Sequence, residues 1–305
     1  MRDLHQAVTD QILAELKAGA VPWVRPWSET PGLNVPCNAV TGRQYHGVNV
    51  LLLWLTRSKG WATPRFLTFK QALELGGHVR KGEHGSKVYF VKDLKFAEQT
   101  AEGEDTVRAV RMLREYTVFN IDQCDGLPAH VTKPALAPRR NRDGRDELID
   151  EFVATTGACI KEDGVEATFL PSRDVILMPP FASFKDAASF YNTEFHELAH
   201  WTGHLSRLDR KLGERFGART YAAEELIAEL SAAFLCAEFN IDCDLRAAGY
   251  ISEYIQLLEN DNRAIFTAAS KAQEVVDYLR DLALAEPKSN SMVTLDDAVH
   301  VEVAL

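Results

Sequence analysis

No run of apolar residues in this chain approaches the roughly 18 needed to cross a bilayer. The longest, around Val50-Leu51-Leu52-Leu53, is the size of a core segment. The opening residues, MRDLHQAVTDQILAELKAG, carry acids and lack the apolar region of an export signal, so none is expected. Cysteine is scarce: Cys37, Cys124, Cys159, Cys236 and Cys243 are scattered, odd in number and never spaced C-x-x-C. That usage argues against a cysteine-ligated metal and for a reducing cytoplasm. No internal repeat or low-complexity tract is present.

What remains is globular. The chain has 305 residues, 46% hydrophobic and 26% charged, enough for two cores of ordinary size. Its net charge of −10 is unevenly spread: residues 1–130 hold 16 Lys and Arg against 14 Asp and Glu, the remainder 18 against 30. Glu98, Glu102, Glu104 and Asp105 fall in one short polar stretch that reads as a loop, and without it the front half is clearly basic. A polyanionic partner is therefore compatible with an acidic chain, because steering depends on where charge sits.

Apolar spacing predicts a first helix over Leu4–Lys17, closed by Gly19. An irregular aromatic stretch with Pro22 and Pro26 follows, then helices over Val48–Arg57 and Phe69–Leu75. Lys87–Val91 and Arg114–Asn120 read as antiparallel strands across the acidic loop. Residues 131–144 have the composition of a linker, separating a small α+β domain (1–130) from a second domain (145–305). The second opens with a helix near Asp146–Thr155 and a hairpin of Ala167–Leu170 with Val175–Met178. Long helices follow, over about Phe184–Leu205, Tyr221–Phe239 and between Ala248 and Leu284. The whole is α+β, with a mainly helical second domain carrying a small β-hairpin or sheet.

His196-Glu197-Leu198-Ala199-His200 carries the chemistry. Residues four apart share one helix face, so His196 and His200 can present imidazoles to one cation, while Glu197 can reach a water on it. Zinc lowers the pKa of bound water from ~15.7 toward ~7, and a nearby carboxylate takes the proton during attack on a carbonyl. A third ligand is needed. HELAHWTGHLS follows metzincin spacing as far as Gly203 but has Ser206 in place of the third histidine, and His204 is the weaker local alternative. On the next helix Glu225 and Glu229 lie four apart among apolar neighbours, where carboxylates are costly unless something positive meets them. Glu225 is assigned as third ligand and Glu229 as the acceptor that orients a histidine N–H. Exchange of these roles, or substitution by Glu224, stays open. The layout resembles that of thermolysin-like gluzincins.

The segment from Phe190-Tyr191-Asn192 through His196–His204, with Ser206-Arg207-Leu208 after it, resembles the zincin domain of ArdC-type antirestriction proteins. TraC-type primase-associated proteins and phage polyvalent proteins share it. Pro22-Trp23, Pro26-Trp27, Asn38–Tyr45, Gly47-Val48-Asn49, Thr68–Ala72, Gly76–Glu83 and Phe119–Cys124 extend the resemblance over the front half. It implies a front domain binding single-stranded DNA, a metallopeptidase-like rear domain, and protection of incoming plasmid DNA from host restriction.

Single-strand binders need aromatic faces for stacking and cations along the backbone. Trp23, Arg25, Trp27, Arg43, Tyr45, Lys70, Arg80 and Lys81, mostly on Pro- or Gly-punctuated loops, are the expected DNA-contacting residues, whereas Trp54 and Phe90 read as core. Two other functions compete with DNA binding plus peptide hydrolysis. One is a DNA-binding protein whose zinc site is structural or silent; the other is a protease for one host protein, with a protein-binding front domain. Tyr191 and Tyr221 are candidates for stabilising an oxyanion. No membrane partner is expected.

Overall fold

The computed structural model describes residues 3–23, 34–56, 60–61, 63–99, 105–132, 144–241 and 250–285. Arg25, Trp27, Arg57, Glu102, Glu104, Cys243 and most of the expected linker lie outside them.

Helix α1 (Leu4–Lys17) begins where the Asp3 carboxylate accepts from the N–H groups of His5 and Gln6, and it buries Val8, Ile12, Leu13 and Leu16. Strand β1 (Cys37–Asn38) precedes α2 (Val48–Leu55), which ends before the expected Arg57. Nearly every residue of α2 is buried, as an apolar surface all round a helix requires. Strand β2 (Arg65–Leu67) leads into α3 (Phe69–Glu74), started by a reciprocal capping box of Thr68 and Gln71. Then come β3 (His78–Val79), β4 (Ser86–Gln99), β5 (Asp105–Asn120), β6 (Cys124–Asp125) and the single turn α4 (Ala129–Thr132). The β4–β5 ribbon continues to Gln99↔Asp105, through residues whose polarity reads as loop. Backbone pairing sets the ladder there, and side-chain polarity does not report it. Order β1-β2-β5-β4 makes a four-stranded sheet with β4 at an edge, while β3 and β6 pair separately.

The rear half comprises α5 (Glu147–Thr155), β7 (Cys159–Lys161), β8 (Thr168–Leu170), β9 (Val175–Leu177), α6 (Ala187–Thr202), α7 (Gly213–Phe216), α8 (Thr220–Glu238), α9 (Ile251–Asn260) and α10 (Ala264–Leu284). β8 and β9 form the expected antiparallel hairpin, and β7 adds in parallel to β9, leaving β8 at the other side of the sheet. α6 is shorter than its apolar pattern: Asp186 caps its start through the Ser189 N–H, and Gly203 follows its last residue.

One cluster of buried side chains runs through both halves. It joins Ile12, Leu51 and Phe66 to Leu198, Leu226 and Val276. Trp54 of α2 meets Phe234 of α8 edge to face at 5.7 Å. Thr9 donates to the Asn262 carbonyl at 2.8 Å, and Lys17 pairs with Glu259 at 2.6 Å. No helix of the described residues is long and apolar enough to cross a membrane.

Candidate metal centre

α6 and α8 pack side by side and bring His196, His200 and Glu225 together, with one ligand atom from each within 4.8 Å of the others. The two Nε2 atoms lie 3.1 Å apart. The Glu225 carboxylate spans them, with Oε2 3.5 Å from His196 and Oε1 3.5 Å from His200. Each Nδ1 faces an acid: that of His196 lies 3.7 Å from Glu229, and that of His200 lies 3.2 Å from Glu224. With the His200 Nδ1 protonated toward Glu224 and the His196 Nδ1 turned to the Glu229 side, both Nε2 lone pairs face one space, which suits a cation between them. Two imidazoles and a carboxylate fit a divalent ion of borderline softness.

Glu224 is the residue that spacing undervalued. Its carboxylate is held by Arg210, whose Nε donates to Oε2 at 2.8 Å, and Arg210 also donates to the Ala199 carbonyl and the Thr202 hydroxyl. The Arg210 side chain is 2% exposed. Burial pushes the Glu224 carboxyl up, but the hydrogen bonds of Arg210 and His200 outweigh it and hold it at about 2. Burial lowers the His200 pKa, yet Glu224, Glu225 and Glu197 together raise it above the ordinary histidine value. Glu225 is displaced downward: burial raises it, and the two histidines overcome that.

Glu197 lines the same cleft of about 750 Å³, and its Oε2 accepts from the Phe169 N–H of β8 at 2.9 Å. Tyr221, exposed at the cleft mouth, meets Tyr250 hydroxyl to hydroxyl at 3.1 Å. The bond to Tyr250, helped by burial, raises the Tyr221 pKa. Tyr191 is elsewhere: fully buried, it accepts from the Asp146 N–H and donates to Asp150, tying α5 to α6. It is removed from the oxyanion candidates. His204 lies beyond the end of α6, its Nδ1 2.8 Å from the Ser206 hydroxyl, and does not join the ligand cluster.

The front half requires corrections. Trp23 is 2% exposed and packs near Tyr254, and Tyr45 is 7% exposed between Phe66 and Phe90. Irregular backbone lies over the core at both places, and large aromatics cover it, so neither offers a free stacking face. Phe90, read as core, is 45% exposed. Arg43, Lys70 and Lys81 are exposed as expected. Arg80 is exposed too, but it is engaged by Glu83 at 2.9 Å and Asp125 at 3.4 Å.

Paired histidines on one helix, an acid from the next and a small sheet beside them define a zincin-like protein. Residues 147–271 match the family described as a zincin-like metallopeptidase, and residues 2–119 match the N-terminal domain of anti-restriction factor ArdC. The chain belongs to the ArdC antirestriction family. The metal-free crystal structure of the antirestriction protein ArdC from plasmid R388 superposes with a TM-score of 0.79 at 41% identity, covering 92% of this chain and 98% of that one. The Mn(II)-bound structure gives 0.76 at 40% identity, covering 93% and 99%. Protein y4eC of Sinorhizobium fredii (strain NBRC 101917 / NGR234) is 39% identical over 91% of each chain. A DNA primase TraC of Escherichia coli is 36% identical over 91% of this chain, which spans 27% of that protein.

Proposed function

We propose that this chain protects incoming plasmid DNA from host restriction in the cytoplasm. In this reading its front half binds single-stranded DNA, and its rear half is a metal-dependent peptidase acting on a host protein. The convergence of His196, His200 and Glu225 beside Glu197, in one open cleft, supports it most. The two histidines and Glu225 would hold a divalent ion, with zinc favoured by the donor set and Mn(II) known in the R388 relative. When bound, such an ion supplies Lewis acidity to a carbonyl and to water.

The chain's own residues do the rest. Glu197 accepts a proton as general base within the cleft, and Phe169 holds its carboxylate in place. Glu224 accepts from the His200 Nδ1 and leaves its Nε2 free to ligate, while the Glu229 carboxylate stands 3.7 Å from the His196 Nδ1, placed to orient that ring. Tyr221 stands where its hydroxyl can donate to an oxyanion at the cleft mouth.

The test is Glu197→Gln in the full chain, followed by metal analysis and by cleavage of unfolded protein substrates. Retained metal with cleavage reduced 10²-fold or more is the expected result. Parental cleavage by the variant would sink the general-base assignment. A second reading, a proteolytically silent site with DNA coating sufficient for protection, draws support from the Phe169 N–H that occupies one oxygen of Glu197. It requires Glu197→Gln to protect DNA as well as the parent does.

A further inference from the structure

The strand register places Val88 opposite Tyr116, Phe90 opposite Arg114 and Lys92 opposite Met112. Residues directly opposite in an antiparallel pair project from the same face. Along that face burial gives way to exposure. Phe66 is 1% exposed and Tyr45 7%, whereas Phe90 is 45% and Tyr116 46% exposed. The rings form one row, Phe66 to Tyr45 at 6.4 Å, Tyr45 to Phe90 at 6.4 Å and Phe90 to Tyr116 at 5.7 Å. Phe90 is thus braced by the buried Tyr45, and Tyr116 packs in turn on Phe90. Arg114 and Lys92 are exposed beside them.

Two occupants suit an exposed aromatic edge, a further β-strand or the flat faces of unpaired bases. Strand addition is obstructed where the aromatics lie. The Asn49 side chain donates to the Tyr89 carbonyl at 2.7 Å and accepts from its N–H at 2.7 Å, closing the β4 edge at that residue. The face remains open, and it joins two π surfaces to two cations. That pairing suits a polyanion whose bases stack without regard to sequence.

We infer that Phe90 and Tyr116, flanked by Arg114 and Lys92, form a stacking platform for unpaired bases of single-stranded DNA, whose phosphates run along the two cations. This site rests on the single-strand-binding reading above and replaces Trp23 and Tyr45 as the stacking residues.

Anisotropy of labelled oligo-thymidylate titrated with the full chain tests it. Phe90→Ala with Tyr116→Ala should weaken binding roughly 5- to 150-fold. Phe90→Leu with Tyr116→Leu keeps an apolar cover over Tyr45 and should weaken it comparably, which separates stacking from folding. Phe69→Ala, at another exposed aromatic, should stay within about twofold of the parent. Arg114→Gln should lower the salt slope by about one unit. Folded leucine variants that bind like the parent would overturn the platform while leaving single-strand binding intact. A parent chain that binds no oligonucleotide even at low salt would overturn both. Sedimentation showing a parent dimer that the leucine variants abolish, with DNA affinity unchanged, would reassign the face to self-association.

Discussion

Arg210 and Glu224 form a part-buried ion pair beside the metal centre, with the guanidinium Nε 2.8 Å from one carboxylate oxygen and His200 Nδ1 3.2 Å from the other. The arginine comes from the loop after α6 and the glutamate from α8, so the pair fastens the loop and the two ligand-bearing helices together.

Replacing Arg210 by Met or Glu224 by Gln should lower metal affinity by roughly 10- to 100-fold, the usual loss when a ligand's supporting acceptor is disturbed. Competition with a chromophoric chelator measures it. Affinity equal to that of the parent in folded Glu224→Gln would show that His200 needs no such support.

Metal addition should raise the melting temperature of the parent and leave His196→Ala and Glu225→Ala unmoved. At a hundredfold excess over Kd, binding to the folded state contributes about 2.7 kcal/mol. A parental shift retained in Glu225→Ala would exclude that carboxylate from the ligand set.

The Asp174–Arg207 pair secures the β8–β9 turn, with Arg207 Nη2 2.6 Å from the carboxylate and the guanidinium 4.0 Å over the Trp201 ring. The hydrogen bond from Arg207 holds the Asp174 carboxyl below its ordinary value of 3.8, against the opposing effect of burial. A depressed carboxyl stabilises the fold above its unfolded pKa and loses that contribution as pH falls through the folded one. The advantage of the parent over Asp174→Asn should therefore be full above about pH 5 and vanish in strong acid. Solvent screens the half-exposed Asp174 carboxylate, so the plateau should be about 1 kcal/mol or less. Urea midpoints across that range are the measurement, and a parallel pair of curves would be the failing outcome.

Trp54→Ala should cost about 3–5 kcal/mol, as removal of a large buried aromatic does. Because Trp54 packs on Phe234 across the halves, metal binding and front-half fluorescence should be lost in one transition. Two separated transitions in the parent would contradict a jointly stabilised core.

Local physics made much of this readable in advance. The i, i+4 geometry of His196 and His200 is internal to one helix, and the burial of Glu225 and Glu229 follows from acids set among Leu226, Ile227 and Leu230. Arg210 was not readable, because it reaches Glu224 through a loop folded back on α6, and only tertiary packing makes that neighbour. β1, β3 and β6 have two residues each, too few for any periodicity. Trp23, Tyr45 and Phe90 show the opposite difficulty. Loop or strand residence does not decide which aromatic faces the core, since that depends on what α9 and the neighbouring strands lay against it.

The shared core bears on inheritance as well as folding. Severing the chain between its halves would strip cover from α2 on one side and from α8 and α10 on the other, leaving two greasy remnants. Selection should then move the pair as an indivisible cassette. The TraC relative fits that expectation, since the match covers 91% of this chain, both halves included, yet spans only 27% of that protein.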